Sequence, residues 1–272
     1  MVSKLVISTA LFLSAGAAQA SDCLGFAQRD LPGWTVFTLD AAQLGERDVA
    51  ISFVGHSSYR IEAPDGTTII TDYSGWSGPG DQPEVVTMNR AHETHYTDYP
   101  DPRIEHVLRG WNPENTDGSG DPAEHYATIG ETLIRNVATS VQSYDGVRPN
   151  DNSIFIFEIQ GLCIGHLGHL HFEPNDEQFG AIGFLDVVMV PVDGTYTMSQ
   201  VGMMEVLKKL RAKVILPMHW FGQTTLNAFL RIAAEEFDVR PFDENWLVLS
   251  KETLPEEAVV VVMQPNFREE FE

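Results

Sequence analysis

Apolar and polar positions alternate in short runs through the first half of the chain, and give way to apolar runs and helical stripes in the second. The apolar, β-branched run 49–54 and the period-2 alternation of 58–62 predict two strands, and 67–71 reads as the next. Asp65-Gly66 marks a turn, so these three segments read as an antiparallel meander. An earlier strand is expected at 34–39, and further short strands at 84–88 and 104–108. Gly, Ser and Pro make 73–83 a loop, and 111–122 is a polar, exposed stretch.

Strands are expected again at 132–137, 153–159 and 162–165. Residues 186–192 are apolar between their end residues, which suits a strand covered on both faces. Apolar residues at 203, 206, 207 and 210 give 198–210 a helical stripe. Leu226, Phe229, Leu230 and Ala233 repeat that spacing in a second helix. Strands at 214–217, 246–249 and 259–263 complete the series. The pattern predicts one α/β domain with sizeable sheets, without repeats or an internal linker.

The first twenty residues stand apart. One Lys precedes a short apolar core, and Ala18-Gln19-Ala20 is a small-x-small cleavage site. We read 1–20 as a signal peptide and 21–272 as a single domain, exported to the periplasm or secreted. The apolar core is too short for a membrane span, and no later run approaches that length. Seventeen basic against thirty-nine acidic residues give a net charge of −22. Such a chain repels phosphate backbones and anionic lipid, so a small-molecule substrate is expected rather than nucleic acid or membrane. The oxidising compartment permits a Cys23–Cys163 bond, but Cys163 in its apolar run reads equally as a small buried hydrophobe.

The nine histidines change the picture. His92 and His95 follow one expected strand. His166, His169 and His171 follow another, and His219 follows a third. Any one of them is more often a hydrogen-bonded surface or core residue. Three groups at three strand ends fit a histidine metal site, since neutral imidazole is the commonest ligand of zinc-like ions.

These segments resemble a family. Ile51-Ser-Phe-Val-Gly-His-Ser-Ser-Tyr-Arg-Ile-Glu62 is similar to the opening strand pair of metallo-β-lactamase-fold hydrolases, in the branch that includes ascorbate-phosphate lactonase. Thr71-Asp72 resembles the structural Asp that follows, and 86–98 takes the place of the T-H-x-H-x-D-H metal motif. Ile164-Gly-His-Leu-Gly-His-Leu170 resembles the H-x-G-D segment, 186–192 with 194–197 the next strand and loop, and Ile215-Leu-Pro-Met-His219 the last ligand motif. The resemblance runs from about 49 to 221 and implies an αββα four-layer sandwich with metal held at strand ends.

Departures from the pattern shape the expected site. His95 and His92 match the motif's last and middle His, but Thr94 replaces its Asp and Arg90 its first His. His169 replaces the H-x-G-D aspartate, and Gln142-Ser143-Tyr144 stands where a further His belongs. Arg90 stays protonated and cannot ligate, which disfavours a two-ion site. We expect His92, His95, His169 and His219 to hold one ion. Zinc is the first choice, though copper, iron or nickel would suit the same imidazoles. Arg90 would bind an anionic group or developing oxyanion. Asp72 would orient a ligating His. His166 is counted with the metal residues, chiefly as an orienting one.

His56 reads as a buried hydrogen-bonding residue, and His171 as a residue of the site's rim. Asp98 and Asp193 read as turn residues, and Tyr96, Tyr144 and Tyr196 as packing or pocket lining. The resulting expectation is a metal-dependent hydrolase acting on an ester, lactone, amide or phosphodiester. The alternative is a non-catalytic relative that binds a ligand or stores metal.

Overall fold

The computed structural model describes residues 21–24, 44–89, 92–114 and 120–265. The expected leader, the strand at 34–39 and Arg90 lie outside them. In chain order the strands are β1 Val49–Gly55, β2 Ser58–Glu62, β3 Thr68–Ile70, β4 Val85–Met88, β5 His106–Arg109, β6 Tyr126–Ile129 and β7 Thr132–Ser143. They continue as β8 Gly146–Ile159, β9 Leu162–His166, β10 Val187–Pro191, β11 Val214–Met218, β12 Asp238–Pro241, β13 Trp246–Leu249 and β14 Val259–Val262. The α-helices are α1 Asp176–Ile182, α2 Gln200–Leu210 and α3 Gln223–Ala233.

Two sheets result. The smaller runs β13-β1-β2-β3-β4-β5, and the larger β12-β14-β11-β10-β9-β8-β7-β6. The meander β1-β2-β3 is antiparallel as expected, and β4 and β5 extend it in parallel. Strands β9, β10, β11 and β14 are parallel neighbours.

Alternation along the strands sorts side chains between two cores. Val187 and Met189 face the space between the sheets, with Ile51, Phe53, Ile61, Phe155 and Leu216. Val188 and Val190 point the other way and pack with Met203, Leu207 and Phe229 of α2 and α3. That two-sided burial is why 186–192 is almost purely apolar. A third cluster, with Ile70, Val86, Met88, Ile104 and Trp111, lies on the outer side of the smaller sheet. The two stacked sheets with outer helices make the α/β sandwich expected of the metallo-β-lactamase fold. Among the described residues the three α-helices all pack against the larger sheet. No helix there is long and apolar enough to cross a membrane.

The structure adds elements that periodicity passed over. Strands β7 and β8 extend to a two-residue turn, with Ser143 paired to Gly146. This far arm is polar and partly exposed, so it lacks the apolar alternation that reveals a half-buried strand. Helix α1 has seven residues, too few for a stripe, and is defined by its capping box. There the Asn175 side chain accepts from Gln178 N, and Gln178 Oε1 accepts from Asn175 N.

Cys23 and Cys163 form a disulfide with Cα atoms 5.8 Å apart. It joins a short 3-10 turn, Asp22–Leu24, to β9. Glu158 accepts hydrogen bonds beside it from Ser21 Oγ (2.5 Å), Asp22 N (2.9 Å) and Arg135 Nε (2.9 Å). Arg135 also donates to Ala181 O and Ile182 O at 2.6 and 2.8 Å, which satisfies the last carbonyls of α1.

Candidate metal centre

Each element carrying an expected site residue delivers it to the same end of the sandwich. His56 sits in the β1–β2 turn, Asp72 follows β3, and His92 and His95 lie in the loop after β4. His166 ends β9 and His169 follows it. Asp193 follows β10, and His219 follows β11. Three of these residues have left-handed backbone, with φ of 53° at His56, 44° at Asp72 and 57° at His219. Non-glycine residues take this conformation rarely and at a cost, and such strain concentrates at functional sites. The backbone locks two of the three together, for His219 N donates to His56 O at 2.6 Å.

The imidazoles converge. His92 Nε2 lies 3.1 Å from His169 Nε2 and 3.4 Å from His219 Nε2. His219 Nε2 lies 3.1 Å from His95 Nε2. His56, His92, His95 and His219 each offer a nitrogen, all within 4.8 Å of one another.

Buried carboxylates set the protonation pattern. His95 Nδ1 is 2.5 Å from Asp72 Oδ2, and both side chains are fully buried. His219 Nδ1 is 3.0 Å from Asp193 Oδ1. A carboxylate accepts only, so each contact places the proton of the neutral ring on Nδ1. In that tautomer both Nε2 atoms present lone pairs, which face each other across 3.1 Å. A cation between them resolves that repulsion. The spacing fits one. Nitrogens bound tetrahedrally to zinc at 2.0–2.1 Å stand about 3.3–3.4 Å apart.

Asp72 is built to stay ionised. Burial alone would raise its pKa. Favourable electrostatic interaction with the His95 and His166 imidazoles and the hydrogen bonds from His95 and Asn89 outweigh that, and hold it at about 2. Asn89 Nδ2 donates to Asp72 Oδ1 at 2.9 Å. Asp193 is likewise held well below the usual carboxylate range, against its burial, by hydrogen bonds from His219, Thr197 and Thr195. Burial, then the neighbouring imidazoles, lowers His56 to about 3 and His92 to about 4, and drives His169 lower still. At neutral pH these rings are uncharged and their lone pairs are available.

Of the sequence-predicted metal residues, His92, His95, His169 and His219 are brought together. His166 is not. Its Nε2 donates to Ser57 O at 2.8 Å, and its Nδ1 accepts from Gly168 N at 3.1 Å. Both nitrogens serve the backbone, which leaves no lone pair for a metal. His166 instead ties the β1–β2 turn to the loop that carries His169. Asp72 lies where an orienting residue belongs, on His95. Arg90 falls outside the described residues.

The sequence reading set His56 apart from the ligands, yet the structure places it among them. Its Nε2 is buried without a hydrogen-bond partner. The Gly55-His56 pair at the end of an apolar strand was the available signal. Asp193 is both a turn residue and more. Oδ2 accepts from Thr195 N and Tyr196 N at 2.8 and 2.5 Å, while Oδ1 serves His219. Asn152 was not singled out, and its Oδ1 accepts from His169 N at 2.7 Å. Gly168, at φ 58°, lies so close to the Asn89 and Asn152 amides that a Cβ would collide with both. Asp98 is not part of the cluster. Tyr96 packs on Trp111, and Tyr144 is fully exposed at the β7–β8 turn.

Comparison with known proteins agrees with this geometry. The family model described as beta-lactamase superfamily domain matches residues 50–219. A UPF0173 metal-dependent hydrolase of Thermoplasma volcanium is 30% identical over 91 residues, 34% of this chain and 40% of the relative. The chain thus spans well under half the length of that relative. A Thermotoga maritima structure, a candidate Zn-dependent hydrolase of the metallo-beta-lactamase superfamily, is similar at TM-score 0.56 and 26% identity. That match covers 79% of this chain and 98% of the other. Igni18, a metallo hydrolase of Ignicoccus hospitalis, shares the fold at TM-score 0.55 and 20% identity, over 81% of this chain and 97% of its own. With a family match that begins inside β1 and ends on His219, the chain belongs to the beta-lactamase superfamily.

Proposed function

We propose that this protein is an exported metal-dependent hydrolase with one zinc-like ion at its histidine cluster, acting on a small ester, lactone, amide or phosphodiester. The observation that carries the reading is the pair of Nε2 lone pairs of His95 and His219. They are aimed at each other by Asp72 and Asp193, an arrangement that a metal cation accommodates. His92 and His169 stand beside them with nitrogens at compatible spacing, and His56 offers a further one.

A bound ion of this kind supplies Lewis acidity and lowers the pKa of its water toward neutrality. The chain's own residues prepare for that chemistry. Asp72 and Asp193 keep protons on the Nδ1 atoms of His95 and His219, so the Nε2 lone pairs stay free. Asn89 holds Asp72, and Asn152 holds the backbone of His169. Imidazole donors, unlike carboxylates, would leave the charge of a bound ion largely intact. The relatives' descriptions as metal-dependent hydrolases support the reaction class. Export is supported by the expected leader and by the Cys23–Cys163 bond, which suits an oxidising compartment.

The test is elemental analysis of protein purified from the periplasm without chelators, beside a His95→Ala/His219→Ala variant. We expect one transition metal per chain, lost in the variant, with turnover of some member of an ester, lactone, amide and phosphodiester panel. Metal content unchanged by the double substitution would overturn the site. Stoichiometric metal without turnover would make the protein a metal binder instead of an enzyme.

A further inference from the structure

Three large aromatic side chains lie exposed around the histidine cluster, where apolar rings gain nothing from water. Phe221 is 58% exposed, Tyr196 62% and Phe172 40%. Each is in ring contact with the cluster or one step from it. Phe221 lies 5.2 Å from the ring of His219 and 5.7 Å from that of His56. Tyr196 meets Phe221 edge-on at 5.2 Å. Phe172 lies 6.2 Å from His171, whose ring is 4.8 Å from that of His169.

The rings are not on loose loops. Phe221 is two residues past His219, whose backbone N–H is fixed to His56 O. The Tyr196 N–H is bound by Asp193 Oδ2 at 2.5 Å, on the carboxylate that also orients His219. The bonds that aim the histidines therefore also fix the backbone of Tyr196 and of His219, from which these rings extend beside the site. Keeping a cluster of apolar rings exposed to water is unfavourable unless something covers it. A wall continuous with the histidines is covered by whatever reaches them.

We propose that Phe221 and Tyr196, with Phe172 on the His169 side, form the specificity surface for an aryl or comparable flat apolar group. That group belongs to a substrate whose polar reacting head lies at the histidine cluster. This rests on the metal-centre reading above and narrows its substrate class to molecules with an aromatic or bulky apolar substituent next to the scissile bond. Offset and edge-on contacts with Phe221 and Tyr196 recognise such a group, whereas a short acyl group leaves both rings wet.

The test is a binding titration, which needs no turnover. Zinc-loaded protein, and cobalt-loaded protein read by its visible spectrum, are titrated with acetohydroxamate and with phenylacetohydroxamate. The two chelators share a metal-binding head and differ in one phenyl ring. We expect the phenyl compound to bind about tenfold tighter or better. In Phe221→Ala that advantage should fall below about threefold, and in Tyr196→Ala it should fall part of the way, with metal content unchanged in both. Tyr196→Phe should keep it. Equal affinities in the unsubstituted protein, or an advantage that survives Phe221→Ala, would overturn the proposal. A preparation that takes up metal but shows no phenyl preference thus fails this proposal alone. One that takes up no metal and binds neither hydroxamate fails the metal-centre reading, and this proposal with it.

Discussion

Two buried carboxylates decide which nitrogen of two histidines carries the proton, and the candidate site depends on that choice. Asp72 receives protons from both sides, from His95 Nδ1 and from Asn89 Nδ2. In Asp72→Asn the amide can accept from only one of them, and its own N–H₂ must face the other donor. We expect metal affinity to fall by about 10–100-fold, as when other outer partners of ligating histidines are lost. Competition against a chromophoric chelator measures it, and an unchanged affinity would remove Asp72 from its orienting role. Gly168→Ala should act on the same site from the backbone. The added carbon would strike Asn89 and Asn152, which hold Asp72 and His169. A loss of about 1–3 kcal/mol of stability, with weakened metal binding, is expected from denaturant melts and the same competition assay.

Among the elements, β8 and β9 carry an anchor far from the histidines. The Cys23–Cys163 bond closes a loop of sequence separation 140, for which the chain-entropy argument sets a ceiling of about 5 kcal/mol. A Cys23→Ala/Cys163→Ala variant should lose about 2–5 kcal/mol in urea unfolding. The same loss should follow when the unsubstituted protein is reduced, and reduction should leave the variant unaffected. Beside it, Arg135 and Glu158 are almost fully buried together, with side chains 6% and 8% exposed. Arg135→Met strands the Glu158 charge and the last carbonyls of α1, so it should cost about 3–5 kcal/mol. Arg135→Met with Glu158→Gln should cost clearly less, because the uncompensated charge is then gone. Equal losses in the two variants would show that the pair's charge is not what matters.

For the molecule as a whole, the histidines come from both sheets: His56 and His95 from the smaller, His169 and His219 from the larger. A bound ion would staple the open end of the sandwich. Chelator should therefore lower the thermal midpoint, and zinc should restore it. The gain is about 2.7 kcal/mol when free metal is a hundred times its Kd. His95→Ala/His219→Ala protein should melt at the same temperature with or without zinc. The charge of −22 acts at this scale too. The protein should not be retained on heparin or phosphocellulose at physiological salt, and retention would reveal a basic surface hidden by the overall balance.

Much of this was legible along the chain, and the reasons differ by feature. The meander, the doubly buried strand at 186–192 and the stripes of α2 and α3 follow from periodicity, since burial on a face imposes its period on the sequence. The exposed arm of the β7–β8 hairpin and the short α1 were not legible that way, because backbone pairing and caps hold them with little apolar alternation. The histidines at strand ends announced a metal site, but their division of labour did not show. His166 and His169 sit three residues apart in one segment, and only their neighbours separate them. One spends both nitrogens on Ser57 and Gly168, and the other points into the cluster. His56 joined the cluster because the β1–β2 turn packs against the end of β11, a contact across more than 160 residues. The sequence by itself determined the sandwich and the supply of ligands, because hydrophobic period and side-chain type are local properties. Tertiary structure alone decided which lone pairs meet, because that depends on what each ring's second nitrogen touches.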